Sequence, residues 1–268
     1  MNTKPAKILK AFFIIISFLA VNILIDALTS AFVPMLMATI SSKPVSESMS
    51  YVVYGLLAGQ IVKALILFFF IKRRKKKFNK EYYTDYIKND RIEKPLRFVG
   101  IGLGTVGFGL ILTNLIMKSL EGTQILQNAL DLMENAFSGQ GTIYGLVVLL
   151  VVVVGAPLVE ELLFRGVLFE ELDRVVSRKT TIILTALIFG MYHFNILQTP
   201  NTIVMGLVLA FAYQRTRSIK ASMIIHATNN ILATIPIIDQ GFTPLGFVIY
   251  GVFLIIGIYS LKTLRQEA

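Results

Sequence analysis

Long apolar runs, broken at intervals by charged or turn-forming clusters, organise the whole chain. Four runs are long enough to cross a hydrocarbon core of about 30 Å: Ala11 to Leu36, Val52 to Ile71, Phe98 to Met117 and Ile143 to Val159. Four shorter or more interrupted runs follow, Thr181 to Phe194, Ile203 to Tyr213, Ala221 to Ile238 and Phe247 to Leu261. The pattern predicts an all-α, polytopic membrane bundle of about eight helices, because a segment in lipid must satisfy its backbone internally. After the fourth run, Leu168, Leu172, Val175 and Val176 share one face at helical spacing, with Glu170, Glu171, Asp173 and Arg174 elsewhere. That stretch predicts an interfacial amphipathic helix.

Composition agrees, and charge then orients the bundle. The chain is 55% hydrophobic with a mean hydropathy of +0.70, far from the usual soluble range. Its net charge of +10 is concentrated in short clusters between the runs: Lys72 to Lys77, Arg174 to Lys179, Arg215 to Lys220, and Lys262 with Arg265. With both termini cytoplasmic, all four fall on one side. Glu121, Asp131, Glu134 and Asp239 fall on the other, with Lys43 and Lys118 its only lysines. The positive charge therefore predicts topology in a cell membrane, not nucleic-acid binding. The loop Lys72 to Arg97 reads as a topology anchor against anionic headgroups. Lys4, Lys7 and Lys10 before AFFIIISFLAV resemble a signal peptide, but the apolar stretch runs on toward Met37 without a small-x-small cleavage site, so a retained helix is expected. Cysteine is absent, which excludes disulfides, a thiol nucleophile and cysteine metal ligands.

Two polar features inside the runs call for packing rather than chemistry. GLGTVG, Gly102 to Gly107, fits a dinucleotide-binding spacing, but no strand precedes it. Gly100 and Gly104 instead have the small-xxx-small spacing of close helix contacts. Asn22 and Asp26, four residues apart in the first run, predict interhelical hydrogen bonding. Residues 1–140 read as N-terminal transmembrane helices and 141–262 as the membrane core that carries the candidate chemistry.

Chemistry concentrates in VEELLFRG, where an apolar run ends in Glu160 and Glu161 with Arg165 following. Ionisable groups at membrane depth are costly and mark functional interiors. On a helix Glu161 and Arg165 lie about 40° apart and Glu160 and Arg165 about 140°, so Arg165 can neutralise Glu161 while Glu160 faces another partner. Burial tunes such a carboxylate toward general-base work. The chain's two histidines are the natural partners. His193 stands in FGMYHFN with Phe189 on its face, and His226 in HATNN with Asn230 on its face.

EELLFRG, FGMYH and HATNN together resemble the E-E-x-x-x-R, F-x-x-x-H and H-x-x-x-N motifs of the CaaX-protease and bacteriocin-processing family, the Ras-converting-enzyme-like or abortive-infection family of intramembrane proteases. The resemblance runs from about Ala156 to Asn230, in the family's order. It implies that Glu160 with His193 activates water to attack a peptide carbonyl and that His226 and Asn230 stabilise the oxyanion. Glu161, Arg165 and Phe189 support the site. The implied partners are the lipid bilayer and a peptide or protein substrate: a prenylated CaaX protein, a bacteriocin leader or a peptide pheromone.

Such enzymes have also been described as metalloproteases, and Glu160, His193 and His226 are a zinc-type ligand set. H-E-x-x-H is absent, however, so metal-free glutamate chemistry is expected and no cofactor is assigned. Two rivals stand beside a protease: a non-catalytic peptide-binding or bacteriocin-immunity protein, and a proton-coupled transporter, which predicts an inverted repeat that the sequence does not display. One expectation conflicts with the rest. Straight upright helices starting where the basic clusters end place Glu160 about 4 Å, His226 about 9 Å and His193 about 18 Å inside the cytoplasmic boundary, too far apart to meet.

Overall fold

A computed structural model describes residues 3–44, 48, 50–78, 94–135 and 141–266. The described residues form helices and no strand: α1 Lys4–Ile40, α2 Val52–Phe78, α3 Pro95–Ser119, α4 Gln124–Asn135, α5 Thr142–Asp173, α6 Arg178–Met191, α7 Thr199–Thr216, α8 Ile219–Ala233 and α9 Pro244–Gln266, with a 3₁₀ turn at Pro236–Ile238. Each predicted run forms the body of one of these helices. Five of them, α1, α2, α3, α5 and α9, are long and apolar enough to cross a membrane, which makes this a multi-pass membrane protein. The basic loop expected at 72–97 is described only as the end of α2 through Phe78 and again from Lys94; residues 79–93 lie outside the described residues.

The interfacial amphipathic helix does not form as a separate element. Residues 164–173 continue α5, and Leu168 and Leu172 are fully buried. Glu170 and Glu171, expected to face water, are only 2% exposed each. Arginines from α2, from the end of α7 and from the end of α5 itself cover them. Arg74 of α2 and Arg174 hold Glu171, and Tyr213 and Arg217 at the end of α7 hold Glu170, with Tyr213 Oη 2.6 Å from Glu170 Oε1. Arg217 also donates to Asp173 at 2.7 Å. Burial alone lowers the pKa of Arg217, but its hydrogen bonds and attraction to Asp173 and Glu170 outweigh that and hold it above its ordinary value.

This continuation resolves the depth conflict. Glu160 stands 13 residues before the end of α5 at Asp173, or about 20 Å along the axis, and His193 stands 15 residues after the start of α6 at Arg178, or about 22 Å. The two are level. His226 is only 7 residues, about 10 Å, into α8 and still comes within 3.9 Å of Glu160. Tyr213 and Arg217 tie the end of α7 to Glu170 and Asp173 at the end of α5.

Helix α6 is also short, 14 residues or about 21 Å, so the chain leaves helical geometry before a span of about 30 Å is complete. Non-helical backbone there must find partners in the protein. Buried Asn195 supplies them: its Oδ1 accepts from Leu197 N at 2.9 Å, and its Nδ2 donates to Ala129 O on α4 at 3.1 Å. Helix α4 was not legible as a run, because only a narrow face of it is apolar.

The glycines of α3 pack as expected. A Cβ on Gly104 would lie 2.6 Å from Gly257 Cα of α9, and one on Gly102 would lie 2.8 Å from Ile225 O of α8. Neither glycine tolerates a side chain. Asp26 of α1 pairs with Lys63 of α2 at 2.6 and 2.8 Å, as interhelical bonding predicts, whereas Asn22 Nδ2 only donates back to Phe18 O of its own helix.

Candidate active site

Glutamates 160 and 161 sit on a straight α-helical turn of α5 bracketed by two π-helical segments, Leu150–Gly155 before and Phe164–Phe169 after. A π turn widens the backbone ladder and frees carbonyls, and such turns recur at functional sites. Two freed carbonyls of the first segment are claimed by side-chain amides from neighbouring helices. Gln60 Nε2 of α2 donates to Val151 O at 3.1 Å, and Asn230 Nδ2 of α8 donates to Val152 O at 2.8 Å. The turn that presents Glu160 is thus held from both sides.

The two carboxylates have different surroundings. Glu161 is fully buried; its Oε2 lies 3.1 Å from Arg165 Nε, an ion pair not aligned as a hydrogen bond, and its Oε1 lies 2.9 Å from His226 Nδ1. Arg165, 1% exposed, donates from Nη2 to Gly206 O at 3.2 Å and lies 5.0 Å from the centroid of the Phe189 ring. Phe189 also stacks edge-on against both imidazoles, at 5.2 Å from His193 and 5.8 Å from His226. It walls the site and separates the arginine from the histidines.

Glu160 Oε2 is buried and has no hydrogen-bond partner among the described residues. It faces His193 Nε2 at 3.9 Å and His226 Nε2 at 3.9 Å. The partners of the other ring nitrogens fix what those Nε2 atoms are. His193 Nδ1 is 2.9 Å from Phe189 O, a carbonyl that can only accept, so Nδ1 carries the proton. His226 Nδ1 meets the carboxylate of Glu161 in the same way. In the neutral rings, both Nε2 atoms present lone pairs to Glu160. Three acceptors converge on one point, and a separation of 3.9 Å is too long for a direct hydrogen bond but suits a bridged one.

Of the residues expected in the site, Glu160, Glu161, Arg165, Phe189, His193 and His226 come together. Asn230 stands one turn beyond His226 with one amide hydrogen committed to Val152 O. Sequence reasoning missed Gln60, Lys63 and Tyr192, which line a cavity of about 170 Å³ together with Glu160. Lys63 and Gln60 stand in the middle of an apolar run, and a charged or amide side chain at such a position is the signal that marks them.

The set of two imidazole nitrogens and a carboxylate oxygen is of the type zinc takes. At bonds of about 2.1 Å, ligands around a tetrahedral ion lie about 3.4 Å apart. The 3.9 Å separations are wider. Among the described residues no group of three or more His, Asp or Glu is arranged to hold a metal. The residues as placed do not fit the ion.

Residues 142–232 match the family model described as "Type II CAAX prenyl endopeptidase Rce1-like". The matched stretch contains all three motifs. No curated protein and no solved structure matches the chain.

Proposed function

We propose that the chain is an intramembrane endopeptidase in which Glu160 is the general base. One observation carries this reading: Glu160 Oε2, buried and without a donor among the described residues, faces two imidazole Nε2 atoms at equal distance. A carboxylate so placed needs a donor, and water supplies one. Glu160 and His193 Nε2 then accept from the same water and orient its oxygen toward a peptide carbonyl. As the carbon–oxygen bond forms, the proton passes to Glu160. As the carbon–nitrogen bond breaks, Glu160 returns that proton to the leaving amine.

The oxyanion needs donors. Asn230 has a second amide hydrogen to give, and His226, anchored through Nδ1 on Glu161, donates from Nε2 once a proton is placed there. Arg165 holds the Glu161 carboxylate in place. The substrate is a membrane-associated peptide or protein, and the matched family's description makes a prenylated CAAX tail one member of that class. The distribution of basic clusters supports a cytoplasmic position for both termini.

The test is Glu160→Gln in liposomes, assayed by mass spectrometry of peptides released from membrane-anchored substrates. The variant keeps the parent's melting temperature and loses turnover by a factor of about 10² to 10⁴. Parent-like cleavage by the variant would remove Glu160 from the chemistry.

A further inference from the structure

We infer that the cavity beside Glu160 is a substrate subsite, receiving the side chain next to the scissile bond while Gln60 Oε1 accepts that residue's backbone N–H. The inference rests on the protease reading and extends it to helices α1 and α2, which carry none of the motifs. The cavity, about 170 Å³, opens between Asp26 of α1, Leu56, Gln60 and Lys63 of α2, and the Val151–Leu163 face of α5. Glu160 and Tyr192 close it.

Two buried acceptors in its wall lack donors among the described residues, Glu160 Oε2 and Gln60 Oε1. The direction of the Gln60 amide is not ambiguous: its Nε2 donates to Val151 O at 3.1 Å, and a carbonyl accepts only from the nitrogen. Oε1 must therefore be the atom left over. Space for the amide is created by Gly155, where a Cβ would fall under 3.0 Å from it. Buried acceptors without donors are destabilising unless something that binds there supplies the hydrogen. An attacking water suits Glu160, and the N–H of an extended peptide suits Gln60. The volume is close to that of an engineered cavity of about 150 Å³ that takes benzene, so side chains up to phenyl size fit. The Asp26–Lys63 pair gives one end of the wall a polar character that also receives a polar tip.

The experiment uses the full chain in phosphatidylcholine–phosphatidylglycerol liposomes with palmitoylated peptides of randomised sequence, the cleavage sites being read by mass spectrometry. For the parent, one position beside the cleaved bond excludes tryptophan. Leu56→Ala, which enlarges the cavity, raises tryptophan there by about tenfold, and Ala156→Leu, which fills it, restricts that position to glycine, alanine and serine. A variant that folds poorly lowers all cleavage alike without moving the profile, and the variant of opposite direction then decides. Gln60 is tested with an ester in place of the amide N–H at that residue. The ester lowers kcat/KM about tenfold for the parent and has no further effect in Gln60→Met. Unchanged profiles in both cavity variants, or an equal ester penalty with and without Gln60, overturn the subsite and leave the protease reading standing. A parent that cleaves no peptide overturns both.

Discussion

Helix α5 carries two glutamate pairs, Glu160–Glu161 and Glu170–Glu171, ten residues apart; all but the partly exposed Glu160 are buried, and the pairs differ in how their carboxylates are matched. At the second pair each carboxylate is matched: Glu171 by Arg74 and Arg174, Glu170 by Tyr213 and Arg217. At the first pair only Glu161 is matched, by Arg165 and His226. Glu160 Oε2 instead meets two lone pairs at 3.9 Å. A buried ionic group that is fully satisfied holds helices in register. One that is left open at a single atom is poised for a donor that arrives with the substrate.

The sharpest way to break this distinction is to remove one charge from each pair and measure two quantities. Glu160→Gln should abolish turnover at unchanged stability, as set out above. Arg74→Ala should do the reverse. Arg74 is 8% exposed and joins α2 to the end of α5, and leaving a buried partner unmatched costs about 3 to 5 kcal/mol. Arg174 remains on Glu171 and moderates the loss toward the lower figure. The checks are urea unfolding of the detergent-solubilised protein and kcat normalised to the folded fraction. If Arg74→Ala lost turnover while its unfolding midpoint stayed in place, the second pair would belong to the chemistry.

Glu161→Gln falls between the two. It weakens the hold on both Arg165 and His226, so stability and turnover should fall together, with KM little changed. Glu161→Gln losing turnover alone would place Glu161, not Glu160, at the reacting atoms. Asn230→Ala should have a smaller structural effect of about 1 kcal/mol, the typical loss for one hydrogen bond, because Val152 O then lies open. If its second amide hydrogen serves the oxyanion, kcat falls about 10² with KM preserved. A drop in stability with kcat intact would assign Asn230 to the π segment alone.

How much of this was legible beforehand follows from the range of the interactions. Helix positions, the glycine contacts of α3 and the pairing of Arg165 with Glu161 are local or depend on periodicity, and the sequence pattern displays them. The depth of Glu160 was misjudged for a specific reason. Charges at Glu170, Glu171 and Asp173 look like the water boundary until Arg74 and Arg217, 97 and 44 residues away from their respective partners, are seen to neutralise them. Likewise Gln60 acquires its role only when α2 packs against a π segment, a distortion that no periodicity announces. The bond from His226 to Glu161, 65 residues apart, also depends on tertiary placement.

The smallest expected effect is none at all, and it bears on the open atom at the first pair. If Glu160 waits for water, chelators leave turnover unchanged, added zinc does not raise it, and the purified protein carries no stoichiometric metal. The spacing argument gives the direction, since 3.9 Å between donor atoms is wider than a tetrahedral ion requires. Elemental analysis of the parent, His193→Ala and His226→Ala supplies the decision. The two histidine variants should lose turnover to different degrees: His193→Ala nearly all of it, His226→Ala together with some stability, because Glu161 loses a partner. One zinc per chain in the parent, absent from both variants and removed together with activity by a chelator, would instead make the three converging acceptors a ligand set. The Nδ1 hydrogen bonds to Phe189 O and Glu161 would then orient the metal-bound histidines.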